Sequence, residues 1–162
     1  MIIQKLSSSS ATEIYDLYKD YFKDGWTKEM LVSAFNTGRF SVYGANLDGA
    51  LVGVVSFSIS FDTADLEDIF VLPTFRRQGV ANKLFNAMEE DLNSSNVKKL
   101  FLEVRRSNLF AINFYQKKGM KKISERKKYY SDGEDALVFV KDIYFNTFCR
   151  LKYFTRYHFI FI

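Results

Sequence analysis

Anion chemistry is most legible at residues 76–81. Arg76, Arg77, Gln78, Gly79, Val80 and Ala81 follow the apolar run Ile69, Phe70, Val71 and Leu72, and they open a stretch of helical spacing. A glycine has no side chain to hold off a ligand, and the first amides of a helix lack intrahelical acceptors. A pyrophosphate can therefore be held there by main-chain N–H groups and the helix dipole. The two arginines add fixed positive charge. A solvated basic loop is the bland alternative for the same six residues. The pattern lacks the three glycines of a dinucleotide fingerprint and the Gly-Lys-Ser/Thr ending of a nucleotide-triphosphatase loop, so neither class fits. Proton chemistry has two further candidates, the phenol of Tyr115 and the carboxyl of Glu103. Tyr115 is either a proton donor or an aromatic of the core. Glu103 lies between Leu102 and Val104 on an expected central strand, where an unpaired carboxylate would cost several kcal/mol to bury. It is functional or it pairs with Lys98, Lys99 or Arg105. Asp65 and Glu67 share a strand face by the period of two, and Asp68 is expected to point the other way.

Composition narrows the classes. A chain of 162 residues, 48% hydrophobic and 26% charged, suits one well-buried globular domain. A net charge of +4 can come from an anion site alone and does not call for nucleic acid. With a single cysteine, Cys149, no intramolecular disulfide forms, and residues 1–6 lack the basic prelude and long apolar run of a signal peptide. A cytoplasmic setting is expected. The single histidine, His158, lies outside every motif, which argues against zinc hydrolases and histidine-based triads. No metal is expected.

The elements that must position these residues follow from spacing. Residues 1–6 read as a strand, and Ser10 to Glu13 as a capping box opening a helix with Ile14, Leu17, Tyr18, Tyr21 and Phe22 on one face, ended by Gly25. Thr27 caps a second helix that stops at Gly38. Residues 40–47 and 51–61 form strands joined by an Asp48-Gly49 turn. In the second of them Val55, Phe57, Ile59 and Phe61 take one face and Ser56, Ser58 and Ser60 the other. A strand at 64–72, a helix after Gly79 and a strand at 97–104 follow, the two strands being parallel neighbours across a right-handed crossover. A helix capped at Ser107 or Asn108 ends at Gly119, and strands at 120–130 and 136–143 close the order β-α-α-β-β-β-α-β-α-β-β around a turn at 131–134. This is an α/β domain, one mixed sheet with helices on both faces.

Arg76-x-x-Gly79-x-Ala81 resembles the acetyl-CoA signature of the GNAT superfamily of N-acetyltransferases. Asn108 and Tyr115 match its second half-motif, in the required order and one helix and one strand downstream. Within the superfamily the chain is most similar to the protein N-terminal acetyltransferases, including the bacterial ribosomal-protein alanine acetyltransferases (RimI type). Residues 102–108 (Leu-Glu-Val-Arg-Arg-Ser-Asn), 129–136 (Tyr-Tyr-Ser-Asp-Gly-Glu-Asp-Ala) and 25–29 (Gly-Trp-Thr-Lys-Glu) carry that similarity. Gly25 stands where the family usually has proline, and residues beyond Ile143 have no counterpart there. The resemblance implies a mostly antiparallel sheet with a splayed parallel strand pair in its middle.

The same resemblance assigns roles. It implies acetyl-CoA as co-substrate, held by Arg76, Arg77, Gln78, Gly79, Val80 and Ala81. Main-chain groups at Ile69, Phe70 and Val71 would bond the pantetheine, with Asn108 and Tyr115 closing over it. Tyr115 becomes the acid that protonates the departing thiolate and Glu103 the base, acting through water, with Asp65 and Glu67 as reserves. Trp26, Glu67, Tyr129 and Tyr130 become acceptor contacts, although paired tyrosines are also ordinary strand formers. Residues 1–143 are then an N-acetyltransferase domain acting on a protein α-amino group. A polyamine or aminoglycoside acetyltransferase, or a non-catalytic acetyl-CoA-binding module, are the alternatives. The extension at 144–162, aromatic and carrying Arg150, Lys152 and Arg156, is too charged for a membrane span. It reads first as a packed extra element or a homodimer contact, then as an interfacial membrane tail, then as a disordered extension.

Overall fold

The computed structural model describes residues 1–22 and 25–143, so the expectations for the extension lie outside the described residues. The elements are β1 (Ile2–Leu6), α1 (Ala11–Tyr18), α2 (Lys28–Asn36), β2 (Phe40–Leu47), β3 (Ala50–Ser60), β4 (Thr63–Val71), α3 (Val80–Ser94), β5 (Lys99–Arg105), α4 (Leu109–Lys117), β6 (Lys121–Arg126) and β7 (Ala136–Asp142). Their order is the expected one. They form one seven-stranded sheet in the order β1-β2-β3-β4-β5-β7-β6, antiparallel except between β4 and β5. β7 inserts between β5 and β6.

Two cores sandwich the sheet. On one face α1 and α2 pack Ile14, Leu17, Tyr18 and Leu31 against Val42, Val54 and Phe70. On the other, Leu84, Phe85, Met88 and Leu92 of α3 and Tyr115 of α4 cover Val55, Phe57, Leu100, Leu102 and Phe139. Because both faces are covered, the serine face of β3 is not open along its length as expected of a one-sided strand: Ser56 is 1% exposed, while Ser58 and Ser60 are half-buried. Phe61 leaves the apolar face altogether. It sits in the β3–β4 turn at φ +56° and is 98% exposed.

Local signals were mixed in their outcome. Thr27 Oγ1 accepts from Met30 N, and Asn108 Oδ1 accepts from Ala111 N, so both caps form. Asp48 and Gly49 both take positive φ, as a tight hairpin turn between β2 and β3 requires. The capping box at Ser10 does not form. A 3₁₀ turn, Ser8–Ser10, leads into α1, and Ser10 makes no side-chain cap bond. α1 ends at Tyr18 well before Gly25, because the chain there turns to bring Tyr18, Tyr21 and Phe22 around the Phe70 ring, at centroid distances of 5.7, 5.1 and 5.4 Å. β6 stops at Arg126 instead of reaching residue 130, since Lys128 adopts φ +51° and breaks the extended run.

Candidate active site

The parallel ladder between β4 and β5 lasts three pairs, Thr63 with Lys99, Ala64 with Leu100 and Asp65 with Phe101. Beyond Asp65 and Phe101 the strands splay, although β4 runs on to Val71 and β5 to Arg105. On the β3 side, Leu72 N donates to Val52 O, so strand alternation turns the main-chain groups of Phe70 toward β3 and those of Ile69 and Val71 toward the splay. Phe70 is thus not free as expected. Val71 O is taken by Arg76 Nε at 3.0 Å, which pins the basic turn onto the strand end.

That turn borders a cavity of about 570 Å³, lined by Val71, Phe75, Arg76, Arg77, Gly79, Val80, Ala81, Asn82, Phe110, Asn113, Phe114 and Lys117. Arg77 and Gly79 both have positive φ, +63° and +80°, which folds the chain tightly before α3. A Cβ built on Gly79 meets no atom within 4 Å, so the protein itself leaves this position open. Lys83 N is the first α3 amide bonded back into the turn, to Gly79 O, and the amides of residues 80–82 precede the helical ladder. Two arginines, a lysine and helix amides around an open glycine suit a phosphate-bearing ligand. Of the expected cofactor residues, Gln78 turns its amide to Thr74 O, and Ile69, Phe70, Asn108 and Tyr115 do not line this cavity. Phe110, Asn113 and Lys117 do, and were missed. Their spacing with Phe114, at i, i+3, i+4 and i+7, marks one face of a helix.

The opposite face of the splay carries acid. An extra residue in β4 breaks the register with β3: Ser56 pairs with Asp68, yet Phe57 pairs with Leu66, which leaves Glu67 bulged. The bulge keeps Asp65 and Glu67 on one side and overturns the period-two placement of Asp68. Asp65 opposite Ser58 and Asp68 opposite Ser56 now share the α1–α2 face, and Glu67 reaches the same side by accepting from Ser58 Oγ. Spacing alone concealed that Asp68 joins this face. Burial pushes its carboxyl up to about 6, against the opposing pull of hydrogen bonds from Tyr18 and the Ile69 backbone. Burial and then the Glu103 charge raise Asp65.

Glu103 lies on β5 across the splay from this strand. Its carboxylate accepts from Tyr129 at 3.4 Å and pairs with Arg126 at 3.2 Å. Neither the expected burial nor the expected partners hold. The side chain is 31% exposed, so no large desolvation cost arises, and the ladder β5-β7-β6 brings Arg126 alongside. Lys98 and Lys99 pair with Asp62 and Asp142 instead, and Arg105 with Asp132 and Glu134. Tyr115 is 6% exposed in the α3–α4 core, and burial, the Asp68 charge and Tyr130 together push its phenol far above the usual range. It keeps its proton at any physiological pH. The charge of Asp68 reaches Tyr115 although the two belong to opposite layers, so the splay is the window through which the two faces meet.

The rim is pinned by charge. Arg105 lies 3.9 Å from the Tyr130 ring centroid and bonds Asp132 and Glu134 at 2.8 Å each, while Glu134 also accepts from Ser107 N. Asp135 receives Lys127 and Lys128 N. Tyr129 stands edge-on to Tyr130 at 5.2 Å and is 44% exposed. Trp26 packs on Phe40 at 5.1 Å, at the edge of the α1–α2 core. No cluster suited to a metal occurs among the described residues, and no described helix is long and apolar enough to cross a membrane.

Comparison with known proteins agrees with this geometry. The Acetyltransferase (GNAT) family matches residues 11–120. A putative [ribosomal protein bS18]-alanine N-acetyltransferase of Bacillus subtilis is 30% identical over 138 residues, 84% of this chain and 91% of that protein. An uncharacterized N-acetyltransferase of Methanocaldococcus jannaschii is 29% identical over 142 residues, 87% and 91% of the two chains. The crystal structure of the ribosomal-protein-S18-alanine N-acetyltransferase from Escherichia coli superposes with a TM-score of 0.81 at 27% identity, over 88% of this chain and 93% of that one.

Proposed function

As this chain belongs to the GNAT family of acetyltransferases, we propose that it moves the acetyl group of acetyl-CoA to the α-amino group of a protein N-terminus. The observation that carries the reading is the splay itself, with an anion cradle on one side, an acid-lined face on the other and a protonated tyrosine between them. Arg76, Arg77, Lys117 and the amides of residues 80–82 would hold the phosphates, with Phe110, Asn113 and Phe114 along the remaining wall. Bound there, acetyl-CoA supplies a thioester carbonyl as electrophile. Tyr115, kept neutral by burial, donates a proton to the departing sulfur. Of the main-chain groups turned toward the splay, the Ile69 N–H bonds Asp68, which leaves the Ile69 carbonyl and the Val71 N–H to orient the acyl end.

Two arguments favour an α-amine as acceptor. An α-amino group has a reference pKa of ~7.7–8.0 and a lysine amine ~10.4, so neutralising them at pH 7 costs about 1–1.4 and about 4.6 kcal/mol. Carboxylates of ordinary basicity meet the smaller demand. A polyamine site, by contrast, wants an extended set of free acidic walls, and of the candidates Asp132, Glu134 and Asp135 are spent on Arg105, Arg106 and Lys127 and Glu67 accepts from Ser58, which leaves Asp65 and Asp68 on the acceptor face. The similarity to alanine N-acetyltransferases points the same way. Glu103 and the Tyr129–Tyr130 pair flank the acceptor side, where a chain end fits. Incubation with acetyl-CoA and a mixed library of peptides and small amines, read by mass spectrometry, tests this. Acetylated peptide N-termini are expected. Acetylation confined to small amines would replace the peptide reading.

A further inference from the structure

We propose that Asp68 is the group that takes the proton from the acceptor amine, an assignment that rests on the acetyl-transfer reading above. Three observations of position carry it. Asp68 stands on β4 three residues past the last pair with β5, at the lip of the splay, and the bulge at Glu67 fixes it on the acceptor face. Its register partner Ser56 is buried, and the Tyr18 phenol stands against both the serine and the carboxyl, so that β3 and α1 wall a polar pocket around Asp68. Finally, Asp68 on β4 lies near enough to Tyr115 on α4 for its charge to raise the phenol, although the two belong to opposite layers of the sheet.

The surroundings distinguish Asp68 from Glu103. Facing Asp68 are Tyr18 from α1 and Tyr115 from α4, with Ser56 from β3. Glu67 and Asp65 lie along its own strand, and Glu103 across the splay. Asp68 makes no ion pair among the described residues, whereas Glu103 is held by Arg126 and Tyr129. A carboxylate raised by burial is a good proton acceptor, and the oxygens of Glu103 are already occupied. An ammonium nitrogen sheds two protons. One passes to Asp68 before the C–N bond forms and is released to solvent at turnover. As the C–S bond breaks, Tyr115 gives its phenolic proton to sulfur and recovers the second proton from nitrogen, so the protein ends as it began. Glu103 and Arg126 then position the acceptor.

The test uses the full chain, acetyl-CoA and a free-N-terminus peptide, with thiol release followed from pH 5 to 9. Wild-type kcat should rise through an acidic limb with a midpoint near ~6, and Asp68→Asn and Asp68→Ser should both lose that limb and fall about 100-fold at pH 7.5. Glu103→Gln should keep the limb and fall less than about tenfold. Circular dichroism and acetyl-CoA affinity should be unchanged in the Asp68 variants. Persistence of the limb in either variant, or its loss in Glu103→Gln, overturns the proposal. If the peptide is inert and another amine is acetylated, the peptide reading fails, and the same profile on that amine decides on Asp68. A readout free of turnover completes the test: in protein labelled with carbon-13 at aspartate carboxyls, the resonance lost in Asp68→Asn should titrate near ~6. A midpoint below about 4.5 removes Asp68 as the acceptor whatever the enzyme turns over.

Discussion

Replacing Asp68 by asparagine should stabilise the fold, and by an amount that grows with pH. The carboxyl titrates at about 6 in the folded chain against an ordinary 3.8, because it is buried beside Tyr18 and Ser56. Between these two values the folded state holds a proton that the unfolded state has already lost. Stability therefore falls as pH rises through that window and is constant above it. The separation between 3.8 and about 6 corresponds to about 3 kcal/mol once both states are ionised. Asparagine mimics the protonated acid, so the variant escapes that cost. Integrating the linkage gives an advantage of about 1 kcal/mol at pH 4.5 and about 3 kcal/mol at pH 7.5. For a chain of this length the latter is a rise of roughly 6–12 °C in Tm. Urea unfolding of both proteins at several pH values measures the difference, in which the titration of the other carboxylates cancels. An advantage that stays flat within about 0.5 kcal/mol from pH 4.5 to 7.5 would refute the claim that Asp68 is raised by burial. The gain in stability should come with the loss of turnover, as expected of a residue kept for chemistry at a cost to the fold.

Other perturbations probe the cradle, the acid and the rim. Gly79→Gln has room for its side chain, since a Cβ there meets nothing within 4 Å, but the φ of +80° costs an L residue about 1–2 kcal/mol; the variant should still fold, as circular dichroism checks, and should lose acetyl-CoA binding in calorimetry, and unchanged affinity in the folded variant would remove the cradle from the account. Tyr115→Phe, which deletes only a hydroxyl, should keep cofactor affinity and slow turnover by roughly 10²- to 10⁴-fold, and a wild-type rate with chemistry limiting would assign the acid elsewhere. Arg105→Ala frees Asp132 and Glu134 and removes the cation over Tyr130, so peptide KM should rise with acetyl-CoA affinity unchanged; an unaltered KM would mean that the 129–135 loop does not meet the acceptor.

The sequence made local features legible because they are encoded locally. The Asp48-Gly49 turn, the Thr27 and Asn108 caps and the glycine before α3 each follow from residues a few positions apart, and each forms. The alternation of apolar residues was enough to order all eleven helices and strands among the described residues. What failed depends on pairing between distant strands. The bulge at Glu67 exists only relative to β3, so the period of two placed Asp68 on the wrong face. Arg126 reaches Glu103 only because β7 separates β5 from β6, a neighbour order that spacing does not specify. The cavity wall of Phe110, Asn113 and Lys117 is readable as one helix face, but spacing does not say that this face, and not the adjoining one with Tyr115, turns toward the basic turn.

The central claim is acetyl transfer to a chain terminus, and specificity constants at matched concentration test it most directly. Peptides with free N-termini beginning in Ala, Ser or Met should be compared with the same peptides blocked at the N-terminus but carrying an internal lysine, and with spermidine and an aminoglycoside, each with acetyl-CoA at saturation. The account predicts that kcat/KM for at least one free-N-terminus peptide exceeds that of every blocked peptide and small amine by tenfold or more, about 1.4 kcal/mol in transition-state stabilisation. A higher kcat/KM for spermidine, the aminoglycoside or an internal lysine than for every free-N-terminus peptide would contradict it.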